Sequence, residues 1–129
     1  MSCNPAKTET REVCLLDDDA SVLRSMEYLL ASDGVAVRAF NKPEEFLAHA
    51  AIHRVSVVVT DIWMPGITGL EILARTCAIK PRPRVIVITA RDDLAARATA
   101  MAIGPVAFFI KPFNDEQFLA AVHDALDQT

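Results

Sequence analysis

Val13-Cys14-Leu15-Leu16-Asp17-Asp18-Asp19 is an apolar run closed by three consecutive carboxylates. A second run, Val55-Ser56-Val57-Val58-Val59-Thr60, ends in the same way on Asp61. Strand interiors exclude carboxylates, whereas the strand ends of an open α/β sheet are where such proteins place their chemistry. With both runs as strands, at least two carboxylates converge at one edge of a sheet. They repel one another unless a cation intervenes.

Working outward, apolar runs and helical patterns alternate along the chain. After the first run, Val22, Leu23, Met26, Leu29 and Leu30 repeat at helical spacing, with Asp19 at the N-cap position and Asp33-Gly34 as the stop. Val35 to Phe40 reads as strand two. Asn41-Lys42-Pro43-Glu44 reads as a capping box with proline near the start of a helix carrying Phe46, Leu47 and Ala50. Strand three is Val55 to Thr60. The glycine-punctuated segment Met64 to Gly69 leads to a helix with Leu70, Leu73, Ala74 and Cys77. Pro81 and Pro83 precede strand four, Val85 to Ile88. A fourth helix runs from about Asp93 to Ile103 and stops at Gly104-Pro105; strand five is Val106 to Ile110. Asn114 caps a fifth helix whose Phe118, Leu119, Val122, Ala125 and Leu126 form one apolar stripe.

Strands one, three and four are nearly all apolar, so they are covered on both faces and belong inside a parallel sheet. Right-handed crossovers then put helices on both sides, giving a three-layer α/β sandwich. Strand order cannot be read from the pattern alone. Residues 1–12 read as a loose tail and 13–129 as one domain.

Composition sets outer limits. The chain has 129 residues, 52% apolar and 23% charged, the balance of a packed globule. The N-terminus lacks the apolar segment of a signal peptide, and no stretch approaches the roughly 20 apolar residues of a membrane span. A formal charge of −4, without a basic stripe, argues against nucleic-acid binding by this domain itself. Cys3, Cys14 and Cys77 lack metal-ligand spacing; Cys14 and Cys77 read as small buried hydrophobes, and a reducing cytoplasm is the expected setting.

The strand ends carry Asp17 and Asp18, then Asp61, Thr89 and Lys111. Helix capping explains one such residue, Asp19, but not the set. Clustered hard oxygens suit Mg²⁺ (or Mn²⁺), which accepts one or two carboxylates and keeps its other positions for water and phosphate oxygens. An ammonium and a threonine hydroxyl suit the oxygens of a phosphoryl group in transfer, and a carboxylate can be the nucleophile. No GxxxxGK[ST] or GxGxxG occurs, so the phosphoryl group is expected from a partner or a small phosphodonor.

With these residues in view, the chain resembles a bacterial response-regulator receiver domain. The landmarks are LLDDDA (Leu15 to Ala20), TDIWMPGITGLE (Thr60 to Glu71), VIVITA (Val85 to Ala90) and FFIKPF (Phe108 to Phe113). The resemblance implies the flavodoxin-like order 2-1-3-4-5, an order for which a receiver protein is itself a standard example. It also implies Asp61 as phosphoacceptor and Asp18 as direct Mg²⁺ ligand, with Asp17 acting mainly through water. The backbone carbonyl of Trp63 would complete the protein's share of the metal shell. Thr89 and Phe108 would be switch residues, Lys111 the phosphoryl-contacting lysine, and Lys111-Pro112 a cis peptide. Implied partners are a sensor histidine kinase, an output domain or protein met through helix four, strand five and helix five, and a phosphorylation-dependent second copy.

Departures from the family pattern are Trp63 and Arg91 flanking the acceptor, Pro105 and Ala107 in the turn into strand five, and phenylalanine rather than tyrosine at Phe108. His49, His53 and His123 read as solvated or partly packed, and Arg82, Arg84, Arg91 and Arg97 as solvated faces. Two other classes share the architecture. A small Mg²⁺-dependent phosphohydrolase would need a second acid/base and a substrate cap. A flavodoxin-like FMN module would need a hydroxyl- or glycine-rich phosphate loop where three aspartates stand. The receiver reading expects a signalling domain rather than a turnover enzyme.

Overall fold

The first strand, β1 (Val13–Leu16), is buried along its whole length, as its apolar run requires. The computed structural model to which it belongs describes residues 12–63, 69–90 and 93–127. β1 is followed by α1 (Ala20–Ser32), β2 (Val37–Phe40), α2 (Pro43–Ile52), β3 (Val57–Asp61) and α3 (Gly69–Cys77). Then come β4 (Arg84–Thr89), α4 (Leu94–Ile103), β5 (Ala107–Ile110) and α5 (Asp115–Asp127). All neighbouring strands are parallel, in the order β2-β1-β3-β4-β5. This is the three-layer arrangement and the strand order expected.

The two-residue period of the strands sorts the core into two halves. Val13, Leu15, Val57, Val59, Ile86 and Ile88 pack with α1 and α5, while Cys14, Leu16, Val58, Val85 and Val87 pack with α2, α3 and α4. Phe118 anchors the first half and Phe46 the second; both are fully buried. The tail reading of residues 1–12 lies outside the described residues except at Glu12, and the loop reading of 64–69 except at Gly69, where α3 begins.

Local chemistry accounts for the boundaries. Asp19 caps α1, its carboxylate accepting from the amides of Ser21 and Val22. At the other end Gly34 takes φ +80, and the amides of Gly34 and Val35 donate to Ala31 and Leu30. Val35 is thereby committed to the helix end, and β2 starts two residues later than expected. The capping box expected at Asn41 is absent: Pro43 fixes the first helical residue, so the N-cap is Lys42, which makes no side-chain capping bond. Two acids, Glu44 and Glu45, sit in the first turn instead. β3 begins at Val57 rather than Val55 and runs on to Asp61, which pairs with Ile88. β4 extends by one residue at each end, and β5 starts one residue late.

Arg82 and Arg97 are not simply solvated. Arg82 Nη2 donates to the carbonyls of Ile103 (3.3 Å) and Gly104 (2.9 Å), satisfying the end of α4. The guanidinium of Arg97 lies over the ring of Phe108. Both contacts join segments distant in sequence, which no local pattern encodes. Cys77 is half-buried rather than buried, whereas Cys14 is buried and burial pushes its thiol up to about 12.

Candidate functional site

Strand register assembles the site. Leu16 pairs with Thr60, so Asp17 follows at the level of Asp61 on the adjacent strand. Asp61 pairs with Ile88, which leaves Thr89 one step further along β4. Thr89 pairs with Ile110, and Lys111 comes next, its amide donating to the Thr89 carbonyl at 2.7 Å. Four strands of one parallel sheet thus deliver their terminal polar residues to a single edge.

Asp61 is held from two sides. Its Oδ1 accepts the Trp63 amide at 2.9 Å, and its Oδ2 stands 3.5 Å from Lys111 Nζ. Lys111 Nζ also donates to Asp17 Oδ2 at 3.0 Å, while Asp17 Oδ1 accepts the Asp19 amide at 3.0 Å. Asp17 is 1% exposed and Asp61 6%, whereas Asp18 is open to solvent. Each of the three carboxylates offers an oxygen, and these oxygens lie within 4.8 Å of one another.

Burial pushes the Asp61 carboxyl above its ordinary 3.8, and the negative charge of Asp17 acts in the same direction. The Trp63 amide and the Lys111 ammonium pull it back without reversing the shift. The edge therefore holds more negative charge than its own cation neutralises. A hard divalent ion fits that donor set.

The remaining predicted residues are nearby in the fold. Thr89 is fully buried at the end of β4. Phe108 is half-buried on β5 and packs on the α2–α4 side of the sheet. Trp63 is half-buried against the same side. The Lys111-Pro112 bond is cis.

Two features went unread in the sequence. One is the role of Gly69, whose amide donates to the Ile62 carbonyl at 3.2 Å. A Cβ there would stand 2.0 Å from Ile62 Cα, so the start of α3 rests directly on the backbone following Asp61. The other is the Arg97–Phe108 contact. The histidines are apart from this set: His49 and His53 stack on each other with centroids 4.4 Å apart, and His123 bonds Asp33 at 2.6 Å.

Comparison with known proteins adds independent evidence. The family described as "Response regulator receiver domain" matches residues 13–123. The transcriptional regulatory protein FixJ of Azorhizobium caulinodans is 36% identical over 121 residues, covering 94% of this chain and 57% of that protein. A response regulator receiver protein from Burkholderia phymatum has a crystal structure that superimposes with a TM-score of 0.79 at 39% identity, covering 90% of this chain and 94% of the other. The crystal structure of FixJ-N gives 0.83 at 35% identity, covering 92% and 94%. The chain spans little more than half the length of the FixJ relatives it matches.

Proposed function

The chain belongs to the response regulator receiver family and is a phosphoacceptor signalling domain, and from that premise we propose that Asp61 is the residue phosphorylated. The observation carrying this assignment is the double hold on its carboxylate, with Oδ1 on the Trp63 amide and Oδ2 facing the Lys111 ammonium. An anchored carboxylate with one oxygen directed at a fixed cation has the orientation that in-line phosphoryl transfer demands.

The donor is the phosphohistidine of a sensor kinase. An Asp61 oxygen attacks phosphorus, a P–O bond forms, and the P–N bond breaks as imidazole leaves. Lys111 neutralises charge on the incoming phosphoryl oxygens, and Thr89 donates its hydroxyl to one of them. Asp18 and Asp61 would hold Mg²⁺ directly, together with the Trp63 carbonyl, and Asp17 would hold it through water. Bound there, the ion supplies charge neutralisation among the three carboxylates and the phosphoryl oxygens.

The readout is a change in packing. Phosphorylated Asp61 draws Thr89 toward it and lets Phe108 move inward, which alters the surface of α4, β5 and α5 that meets an output domain, protein partner or second copy. The alternatives of a phosphohydrolase and a flavodoxin-like module are not favoured, because the family match covers nearly the whole described chain. No helix among the described residues is long and apolar enough to cross a membrane. A cytoplasmic setting suits a partner kinase that presents its phosphohistidine there.

The test is incubation with acetyl phosphate and Mg²⁺, followed by intact mass. The wild type should gain one phosphoryl group and Asp61→Asn none. An equal rate of gain in the variant would place the acceptor elsewhere.

A further inference from the structure

α4 is tied down unevenly. At its C-terminal end Gly104 adopts φ +108 and donates to the Ala100 carbonyl, and Arg82 clamps the carbonyls of Ile103 and Gly104. Ala100, in the last turn, is the buried residue of the helix. Toward the N-terminus, Leu94, Ala95, Arg97, Ala98 and Thr99 are all exposed, and Ala96 is half-buried. This half of the helix has little apolar area to hold it against the sheet.

Beside the apolar contact of Ala96, one contact from that half to the sheet is polar and specific. The Arg97 guanidinium carbon lies 5.2 Å from the centroid of the Phe108 ring, inside the range of a cation–π interaction. Phe108 pairs with Val87 and therefore shares a sheet face with Val85, Val87 and, by the two-residue period, Thr89. One ring thus has Arg97 on its outer side and lies on the face of the sheet that carries Thr89.

We propose that Arg97 is a positioning residue that holds the Phe108 ring in its outward, half-buried place and so sets the resting balance of the switch. The proposal rests on the phosphoacceptor reading of Asp61 and on Phe108 as its switch aromatic. An inward movement of the ring breaks its contact with the guanidinium. The contact therefore stabilises one of the two states alone, which is the condition for shifting a population. Phenylalanine has no hydroxyl with which to fix its outward place by a hydrogen bond. In this chain a cation on α4 supplies that hold. The same contact couples the ring directly to the loosely packed half of α4, so ring position and helix position change together.

Trp63 is the chain's one tryptophan and follows Asp61 by two residues, which provides the signal for a test. Beryllofluoride, an acyl-phosphate mimic, is titrated at fixed Mg²⁺ with Trp63 fluorescence as the readout. Arg97→Ala and Arg97→Gln should lower the half-saturating concentration about two- to fivefold, the ratio an exposed cation–π contact corresponds to. Arg97→Lys, which retains a cation, should restore most of the wild-type value. In a Phe108→Leu background, Arg97→Ala should change nothing further, because the ring through which it acts is gone.

No shift in Arg97→Ala, or an equal shift with and without the Phe108 ring, overturns the latch while leaving the acceptor assignment intact. A wild type without a response, or an Asp61→Asn variant responding like the wild type, overturns the acceptor assignment and the latch with it. Wild-type urea midpoints in the Arg97 variants show that the fold is unchanged.

Discussion

Lys111 Nζ stands closer to Asp17 Oδ2, at 3.0 Å, than to the Oδ2 of Asp61, at 3.5 Å. In the absence of metal the lysine is therefore foremost the counter-ion of a fully buried acid. Its side chain is 20% exposed, so water shares in screening the charge, and Asp17 also keeps its bond from the Asp19 amide. Breaking a fully buried pair costs about 3–5 kcal/mol. Lys111→Met should accordingly lose less, about 2 kcal/mol in urea denaturation without divalent ions. Saturating Mg²⁺ should return most of that loss by binding only the folded state. A loss that persists in Mg²⁺ would mean that the lysine supports the fold through its packing rather than its charge.

Asp61 presents the opposite case. Its folded-state carboxyl is held above 3.8 chiefly by burial, so the folded chain binds that proton more tightly than the unfolded chain. Stability drawn from this group is greatest below 3.8 and falls as pH rises through the folded-state value. At neutral pH the ionised Asp61 thus weighs against folding. Asp61→Asn retains an amide oxygen for the Trp63 N–H and removes the charge. Its melting midpoint at pH 7 should rise by about 2–5 °C in EDTA. In Mg²⁺ the gap should narrow, since the wild type alone keeps the full carboxylate set. A midpoint below that of the wild type in EDTA would show that the Lys111 contact outweighs burial.

The legibility of these features in the sequence follows their range. Asp19 as a cap, Gly34 as a stop and the apolar stripe of α5 depend on neighbours within a few residues, and each reads correctly. Asp17, Asp18, Asp61, Thr89 and Lys111 are legible as a set because they are the polar residues that close four apolar runs, three of them buried strands and the fourth the half-buried β5. Strand order is not, since every buried strand presents the same apolar run; it comes through the resemblance to the receiver family. The Asn41 capping box failed because a proline at the first helical position fixed the helix start and overrode the side-chain preference. Arg82 and Arg97 were misread for a different reason. Their partners, the carbonyls of Ile103 and Gly104 and the ring of Phe108, reach them only through the tertiary fold.

Gly69 had a signal that composition could not interpret. Glycine in a loop after a strand commonly supplies a turn, but here it is buried and a Cβ would meet the Cα of Ile62 at 2.0 Å and the carbonyl oxygen of Asp61 at 2.6 Å. Both atoms are backbone, so no side-chain rotation relieves the clash. Gly69→Ala must push α3 away from the strand that carries Asp61. It should cost about 3 kcal/mol in urea denaturation, the upper end for overpacking. It should also slow acetyl-phosphate labelling of the folded fraction by disturbing the Trp63 amide that holds Asp61. Gly34→Ala, at a position with open space around it, is the contrast: it strains a positive φ but should leave labelling of the folded protein unchanged.

Away from the phosphorylation edge, the stacked pair His49 and His53 gives the fold a separate acid response. Burial lowers the His49 value below 6.5, and the neighbouring His53 and Arg38 act in the same direction, opposed by Glu12. Its ring also lies 5.3 Å from that of Phe40, which backs it on the sheet side. The unfolded chain takes up a proton near 6.5 while the folded chain still resists it, so stability rises with pH between the folded-state value and 6.5. The wild type should therefore lose stability steadily as the solution is acidified below 6.5, with no matching change above it. His49→Phe, which retains an aromatic ring without the titrating nitrogens, should flatten that part of the pH–stability curve. The measurement is a series of urea midpoints from pH 5 to pH 8. An unchanged slope in His49→Phe would place the acid sensitivity outside the His49–His53 pair.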